Sequence, residues 1–326
     1  MTKHKEKIYK YEPKPLFEER MKALLKDEKD YQEFLKISKT QLQKTIRANK
    51  LKTNPEKLKK QLEAKGWKIK QPFKEAPEIM IVTSKLEPGE LGSCLEHQLG
   101  LYYVQEISSM LPILALSPKP EEIMLDLCAS PGSKTTQTCS EMDNQGTIIA
   151  NDKDIGRIAI LSTNLERCGC SNILVSRNDG VQLCERLNKI HMKFDKILVD
   201  APCSGEGTLR SSPKTFLMWN HKLIKKFSRT QKKLAASVIP LLNKNSTLVY
   251  STCTHAPEEN EIVVDFLIKN FNLQLEEIKL PSELKTRPGI TEWQNEKLSP
   301  ELKKCVRLYP QDNNTEGFFL AKLKKT

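Results

Sequence analysis

Hydrophobic positions in the rear two thirds of the chain form short apolar runs separated by stretches with helical spacing. The runs predict five strands, at Ile123–Leu127, Thr147–Ala150, Ile173–Ser176, Lys196–Val199 and Thr247–Tyr250. The stretches between and after them predict helices at Lys134–Glu141, Gly156–Cys168, Val181–Asn188, Lys222–Leu242 and Pro257–Asn270. This alternation is typical of a doubly wound parallel sheet with crossover helices. A late apolar run, Phe318–Leu323, predicts a strand that joins the sheet edge.

The front of the chain follows a different pattern. Apolar residues between Glu18 and Leu35 recur at helical spacing, with an acidic interruption at Asp27–Asp30. Asn54–Ala64 predicts a helix with Asn54 as its N-cap, and Trp67–Ile69 and Ile79–Thr83 are short enough for strands. We therefore predict two domains, a small α+β unit over residues 1–104 and an α/β unit over residues 105–326.

The positive charge is concentrated at the front. The net charge is +12, of which residues 1–76 carry +11 and residues 77–326 only +1. Such an excess favours a polyanion bound through its phosphates, with Arg47 and Lys52 as candidate contacts. The alternative is a solvated, Lys-rich helical surface.

Composition narrows the class of protein further. The chain is 38% hydrophobic, with no apolar run of about 18 residues, and Met1–Lys10 lacks the apolar stretch of a signal peptide. Its nine cysteines include no CxxC pair, so reduced thiols are favoured over a disulfide scaffold or a metal site. We expect a cytoplasmic protein without metal.

Acidic residues follow the first four predicted strands, where ligands bind in this fold. Asp126 begins a turn of small residues that matches neither a dinucleotide-binding nor a phosphate-binding glycine motif. Carboxylates after the second and third strands suit a ribose diol and an adenine amine, which favours S-adenosylmethionine. Helix capping is the alternative for each acid alone. The candidate cofactor-binding residues are Cys128, Ala129, Ser130, Pro131, Gly132, Ser133, Lys134, Asp152, Asp179 and Asp200.

Two cysteines follow the fourth and fifth strands. Cys203 and Cys253 are 50 residues apart in sequence, but neighbouring strands would bring both to one pocket. A thiolate that adds to carbon 6 of cytosine activates carbon 5 for methylation, which is covalent catalysis. Asp200 lies near enough to assist at the ring nitrogen, and a disulfide is the alternative for the pair.

The motifs resemble the Sun (NSUN) family of RNA cytosine-5 methyltransferases from about residue 40 onward. The segments that carry the resemblance are Tyr103–Pro112, Leu125–Thr135, Asp200–Gly207, Ser251–Cys253 with Pro257–Glu261, and Glu316–Phe319. The resemblance implies a Rossmann-like class I methyltransferase sheet, S-adenosylmethionine as cofactor and an N-terminal RNA-binding domain. It also implies Cys253 as nucleophile, Cys203 as the residue that assists product release, and Asp200 and Lys134 as charged groups beside them.

Three other functions remain open at this point. A DNA cytosine-5 methyltransferase would use the Pro-Cys cysteine, Cys203, as nucleophile, and Thr252-Cys253 argues against it. A catalytically silent RNA-binding assembly factor would not need both cysteines. Among RNAs, tRNA is favoured for a compact enzyme with no long extensions, and ribosomal RNA is the alternative. We expect a monomer without a PUA domain.

Overall fold

The computed structural model describes residues 12–326. The predicted absence of a signal peptide concerns Met1–Lys10, which lies outside the described residues. Within residues 12–326, every helix is too short or too polar to cross a bilayer.

The front of the chain contains two helices followed by a small mixed unit. Its elements are α1 (Pro15–Leu25), α2 (Glu28–Ser38), β1 (Lys44–Ala48), α3 (Pro55–Ala64), β2 (Ile69–Lys70), β3 (Ile79–Val82), α4 (Glu90–Ser93), α5 (Leu95–Gln98) and β4 (Tyr102–Val104). The predicted acidic interruption is the boundary between α1 and α2, where Asp27 caps α2 by accepting from the amide of Lys29. Asn54 caps α3 as predicted. The four strands form an antiparallel sheet in the order β2-β3-β1-β4.

The rest of the chain alternates strands and helices. Its elements are α6 (Ile107–Leu116), β5 (Ile123–Asp126), α7 (Ser133–Glu141), β6 (Thr147–Asp152), α8 (Ile155–Cys168), β7 (Ile173–Arg177), α9 (Gly180–Lys189), β8 (Phe194–Asp200), α10 (Thr215–Met218), α11 (His221–Ser237), β9 (Leu242–Thr252), α12 (Glu261–Asn270), β10 (Leu273–Glu276), β11 (Arg287–Pro288), β12 (Glu292–Trp293), β13 (Glu296–Lys297), β14 (Val306–Leu308), α13 (Pro310–Asn313) and β15 (Phe318–Lys325).

The large sheet has a core on each face. Five strands of this sheet run parallel and lie side by side in the order β9-β8-β5-β6-β7. Leu248 packs into a cluster with side chains of α9, α11 and α12, whereas Val249 packs into the opposite cluster with side chains of α6 and α7. Because successive strand residues point to opposite faces, helices cover both faces, which confirms the doubly wound fold class.

Two helix boundaries differ clearly from the sequence predictions. The predicted helix Lys222–Leu242 ends at Ser237, because Pro240 lies in a 3₁₀ turn, Ile239–Leu241, that leads into β9. The predicted helix Pro257–Asn270 begins only at Glu261, because the Asn260 side chain bonds to Thr252 and to the carbonyl of Thr254.

The predicted late strand joins the five parallel strands at their β9 edge, as expected, but it is not the outermost strand of the sheet. β15 pairs antiparallel with β9 on one side, and β14 and β10 share its other side. Its interior position is consistent with the buried side chains Phe319, Leu320 and Leu323.

The first two helices pack away from the small sheet. Phe17 and Phe34 are buried in a cluster with Trp219, Trp293 and Tyr309. Two bidentate ion pairs reinforce this contact: Arg20 with Glu258, and Arg287 with Asp30. Helices α1 and α2, which belong to the predicted domain of residues 1–104, therefore contact the α/β part of the chain directly.

Candidate active site

Two cysteines meet beyond the carboxyl ends of β8 and β9. These strands run parallel with Asp200 opposite Ser251, so the loops that follow leave the same edge of the sheet. The sulfur atoms of Cys203 and Cys253 lie 3.1 Å apart, and both thiols are free. Both residues line one cavity of 260 Å³.

Backbone hydrogen bonds hold the two cysteine loops together. The amide of Gly207 donates to the carbonyl oxygen of Cys253, and the amide of Gly317 donates to the carbonyl oxygen of Gly207, each at 2.9 Å. A Cβ atom on Gly207 would lie 2.2 Å from the carbonyl oxygen of Gly317. Only glycine allows this approach, so three separate sequence motifs form one rigid unit.

The thiol of Cys203 holds its proton strongly. The hydrogen bond with Cys253 is the largest cause that raises the pKa of Cys203 well above its usual value, and burial adds to it. Cys203 therefore stays a thiol in hydrogen-bond contact with the sulfur of Cys253. A thiolate is the reactive form of cysteine, so this strongly held proton makes Cys203 a poor nucleophile.

Asp200 and Lys134 form an ion pair at the same edge of the sheet. The Nζ atom of Lys134 lies 2.7 Å from Oδ2 of Asp200, and Ser251 donates to Oδ1 at 2.7 Å. Lys134 also donates to Ser109 at 3.0 Å. Because both of its oxygens accept hydrogen bonds, Asp200 is a carboxylate acceptor rather than a proton donor.

Half of the predicted cofactor-binding residues line the cavity. They are Cys128, Ser130, Asp152, Asp179 and Asp200. The others form the turn behind this wall and the start of α7: Ala129, Pro131, Gly132, Ser133 and Lys134. Their contribution is to shape the wall rather than to face the cavity.

Several contacts fix the conformation of that turn. Ser130 donates through its hydroxyl to the carbonyl of Arg157 and receives a hydrogen bond of 2.7 Å from the Arg157 guanidinium on its own carbonyl. Asn164 donates to the carbonyl of Pro131 at 2.9 Å. Gly132 has φ of +102°, a left-handed conformation that favours glycine, directly before α7.

The two acids of the wall also have structural partners. Asp152 accepts from the amide of Asp154 at 3.1 Å and lies 3.3 Å from the guanidinium of Arg157. Asp179 caps α9 by accepting from the amides of Val181 and Gln182. Asp179 therefore caps a helix, which was the alternative for each acid, and it also lines the cavity.

The prediction that Arg47 contacts RNA phosphates is wrong for this structure. Arg47 is only 1% exposed. Its guanidinium donates to Gln105, to the carbonyl of Ser133 at 2.8 Å and to Thr136 at 2.9 Å. Arg47 instead holds the start of α7 against the small sheet.

Lys52 is exposed, but its ammonium group also has protein partners. It donates to the carbonyls of Leu99 at 2.9 Å and Arg167 at 2.7 Å. The second contact satisfies a carbonyl at the C-terminal end of α8, where positive charge is favourable.

Sequence reasoning assigned no role to Glu259. Its side chain is buried and accepts from the amide of Ser204 at 3.0 Å and from Gln231 at 2.8 Å, beside the Cys203 loop. Burial raises its pKa to about 7. The run Pro257–Glu261 was recognisable as a motif, but spacing alone could not show which of its acids faces inward.

The cavity wall includes further residues that no sequence signal marked. Asn151, Lys153, Arg157 and Thr230 lie among its lining residues. Among residues 12–326, no group of three or more His, Cys, Asp and Glu side chains is placed to hold a metal ion.

Comparison with known proteins identifies the family. The family described as 16S rRNA methyltransferase RsmB/F matches residues 113–324, and the N-terminal domain of 16S rRNA methyltransferase RsmF matches residues 14–107. A tRNA (cytosine(49)-C(5))-methyltransferase of Pyrococcus abyssi is 41% identical over 91% of this chain and 92% of its own. Ribosomal RNA small subunit methyltransferase F of Psychromonas ingrahamii is 34% identical over 95% of this chain, which spans 63% of that relative.

Solved structures agree with the sequence matches. A methyltransferase homologue from Pyrococcus horikoshii covers 96% of this chain and 100% of its own, with a TM-score of 0.80 and 32% identity. The structure of NSun6 from Pyrococcus horikoshii with SFG covers 96% of this chain and 98% of its own, with a TM-score of 0.81 and 25% identity. The chain belongs to the RsmB/F, or Sun, family of RNA cytosine-5 methyltransferases, as its cysteine-bearing motifs predicted.

Proposed function

We propose that this protein transfers a methyl group from S-adenosylmethionine to carbon 5 of a cytosine in tRNA, through a covalent bond between Cys253 and carbon 6. The observation that carries the proposal is the 3.1 Å separation of Cys203 and Cys253 on the wall of the cavity that Asp152 and Asp179 also line.

The cavity fits the cofactor by size and by the chemistry of its wall. Its 260 Å³ is close to the roughly 300 Å³ at the lower end for small-molecule sites. The carboxylates of Asp152, Asp179 and Asp200 suit ribose hydroxyls, an amino group and a sulfonium charge. We assign Asp152 to the ribose and Asp179 to the adenine amine. S-adenosylmethionine supplies an electrophilic methyl group when it is bound.

The reaction begins with addition of the Cys253 thiolate to carbon 6. This addition forms the sulfur–carbon bond and moves the electron pair of the C5–C6 double bond toward carbon 5. Carbon 5 then takes the methyl group, while the methyl–sulfonium bond breaks and its electron pair leaves with the sulfur as a neutral thioether. Asp200 accepts from the exocyclic amine of the base, and Lys134, whose ammonium lies 2.7 Å from Oδ2, holds the Asp200 carboxylate in place. Together they orient the base and favour the addition.

Release of the product reverses the covalent bond. A base removes the proton from carbon 5, the electron pair of that bond restores the ring double bond, and the sulfur of Cys253 leaves as a thiolate. We assign Cys203 to assist this step, since it is the neighbouring group with the raised pKa. As a thiol 3.1 Å from the departing sulfur, Cys203 can donate a hydrogen bond to the Cys253 thiolate as it leaves.

The choice of tRNA is supported by sequence identity. The tRNA relative is 41% identical to this chain, whereas the ribosomal relatives are 34–35% identical. Ribosomal RNA is the second candidate, because the matching family description names 16S rRNA. Transfer of labelled methyl groups to purified tRNA and to 30S subunits, followed by bisulfite sequencing, distinguishes the two. Label found only in ribosomal RNA would contradict the tRNA assignment.

The remaining assignments follow from this function. We propose that residues 1–104 form the RNA-presenting domain and residues 105–326 the catalytic domain, and that the protein works as a monomer in the cytoplasm. All nine cysteines are free thiols, which suits a reducing compartment. Gel filtration and fractionation test the last two assignments.

A further inference from the structure

The helix α11 carries a concentration of positive charge that the rest of the catalytic part lacks. Its 17 residues include six Lys and Arg and no Asp or Glu. Residues 77–326 together carry a net charge of only +1. The helix is therefore locally basic within a region that is otherwise slightly acidic.

Four of these side chains lie in one line along the helix. Lys222, Lys226, Arg229 and Lys233 recur at intervals of four, three and four residues, which places them on one face. At 1.5 Å per residue, this basic stripe extends over about 16 Å. All four side chains are exposed, and none has an ion-pair partner among residues 12–326.

The stripe borders the cavity that contains the two cysteines. Thr230 lines that cavity and is four residues after Lys226 and three before Lys233. Side chains at these intervals are neighbours on a helix surface. The stripe thus borders the cavity at Thr230.

The helix is fixed relative to the catalytic loop. Gln231 donates to the carbonyl of Pro202 at 2.9 Å and to Glu259 at 2.8 Å. Ile224, Leu234 and Ala235 are buried on the opposite side of the helix. Because α11 cannot shift independently of the Cys203 loop, its charges keep a constant distance from the reacting base.

We propose that the basic stripe binds the sugar-phosphate backbone of the RNA substrate next to the target cytosine. The proposal rests on the proposed function, because it requires RNA to enter this cavity. Four free cations in a row fit a polyanion, and neither Arg47 nor Lys52 offers a free charge for this purpose. Phosphate contacts of this kind fix the position of the RNA without reading its sequence.

The test compares two variants with equal loss of charge. The stripe variant combines Lys222→Gln, Lys226→Gln, Arg229→Gln and Lys233→Gln. The control combines Lys119→Gln, Lys189→Gln, Lys193→Gln and Lys244→Gln, four exposed positions at the opposite end of the sheet, near the amino ends of β5, β8 and β9. Binding of an unmodified tRNA transcript is measured by fluorescence anisotropy over a range of KCl concentrations.

The expected result is specific to the stripe. Each lost phosphate contact lowers the slope of log affinity against log salt by about 0.7 to 0.9, so the stripe variant should lose about 3 in slope. Relative to 1 M salt, this corresponds to a loss of roughly 1000-fold in affinity at 0.1 M salt. The control should keep the wild-type slope. Calorimetry with S-adenosylmethionine shows whether the cavity is intact in both variants.

Two outcomes would overturn the proposal: a stripe variant with the wild-type slope, or a control that weakens binding equally. The first would mean that these charges do not contact RNA phosphates, and the second that they contribute only net charge. Methyl transfer by the wild type to the same transcript is measured in parallel. Its absence would contradict the proposed function, and this readout is separate from the salt dependence of binding.

Discussion

The guanidinium group of Arg47 donates a hydrogen bond of 2.8 Å to the main-chain oxygen of Ser133. This bond connects β1 of the small sheet to the start of α7, directly after the turn that lies behind the cavity wall. Burial of a guanidinium costs free energy unless its donors are paired, and burial lowers the pKa of Arg47. Arg47 therefore holds the turn behind the cavity wall in place without lining the cavity itself.

The first prediction concerns this bond. Arg47→Met should lower the free energy of unfolding by about 2 to 4 kcal/mol, because several buried acceptors lose their donor. S-adenosylmethionine affinity should fall as the turn loosens. Denaturant unfolding and calorimetry measure the two effects. Lys70→Met, at an exposed site on the same small sheet, should change stability by less than about 0.5 kcal/mol. Wild-type stability in Arg47→Met would contradict the structural assignment.

The second prediction separates the two cysteines. Cys253→Ala should abolish methyl transfer and form no covalent complex, because carbon 5 is never activated. Cys203→Ala should still attack and methylate, but expulsion of Cys253 should slow, so that enzyme accumulates bound to RNA. A denaturing gel with RNA and cofactor shows the complex. Cys94→Ala, a half-buried site in the small N-terminal unit, is the control and should behave like the wild type. A trapped complex with Cys253→Ala alone would assign the nucleophile to Cys203.

The third prediction separates cofactor binding from helix capping at Asp179. Serine is also a good N-cap, so Asp179→Ser should keep stability close to that of the wild type while removing the charge. Asp152→Asn keeps the shape of its side chain. Each variant should lose a charge-assisted hydrogen bond worth roughly 1.5 to 3 kcal/mol, or about 10- to 150-fold in affinity. Calorimetry with S-adenosylmethionine is the measurement, and unchanged affinity in both would exclude the cofactor assignment.

The fourth prediction concerns pH and Glu259. Its carboxyl keeps a proton up to about pH 7 in the folded protein, whereas the usual glutamate value is 4.5. The folded state therefore binds more protons between these values, and this group's contribution to stability is lost as pH rises from about 4.5 to 7. The Glu259→Gln variant has no ionisable carboxyl group at this position, so it lacks this contribution at every pH.

The effect of Glu259 is measured as a difference in the free energy of unfolding between a variant and the wild type. The free energy of unfolding of Glu259→Gln minus that of the wild type should rise from about pH 4.5 to 7 and then level off. Urea unfolding at intervals of half a pH unit gives this curve. A difference that is constant over the whole range would show that Glu259 ionises alike in the folded and unfolded states.

Local sequence patterns were sufficient to identify the strands and the residues at their ends. Apolar runs are followed closely by three acids and two cysteines: Asp152, Asp179, Asp200, Cys203 and Cys253. In a parallel sheet the carboxyl ends of the strands lie at one edge, so these residues come together there. The motif around each cysteine carried the family resemblance. This part of the site could be predicted because it depends on neighbours in sequence.

The errors concern contacts between distant segments. Nothing local to Arg47 shows that its charge is buried against α7, because an arginine at a surface and one in a polar interface have the same sequence pattern. The same holds for Phe318–Leu323, since an apolar run predicts a strand but not its neighbours. Gln231 and Glu259 meet only when α11 packs beside the Cys203 loop.

The packing of α1 and α2 against later parts of the chain has a consequence for synthesis. Phe17 and Phe34 are buried by side chains as late in sequence as Trp293 and Tyr309. At about 5 to 20 residues per second, roughly 15 to 50 s pass between emergence of α2 and that of its last partner. During that interval the apolar faces of both helices are open to chaperones, so attachment of these helices is among the final events in making the enzyme.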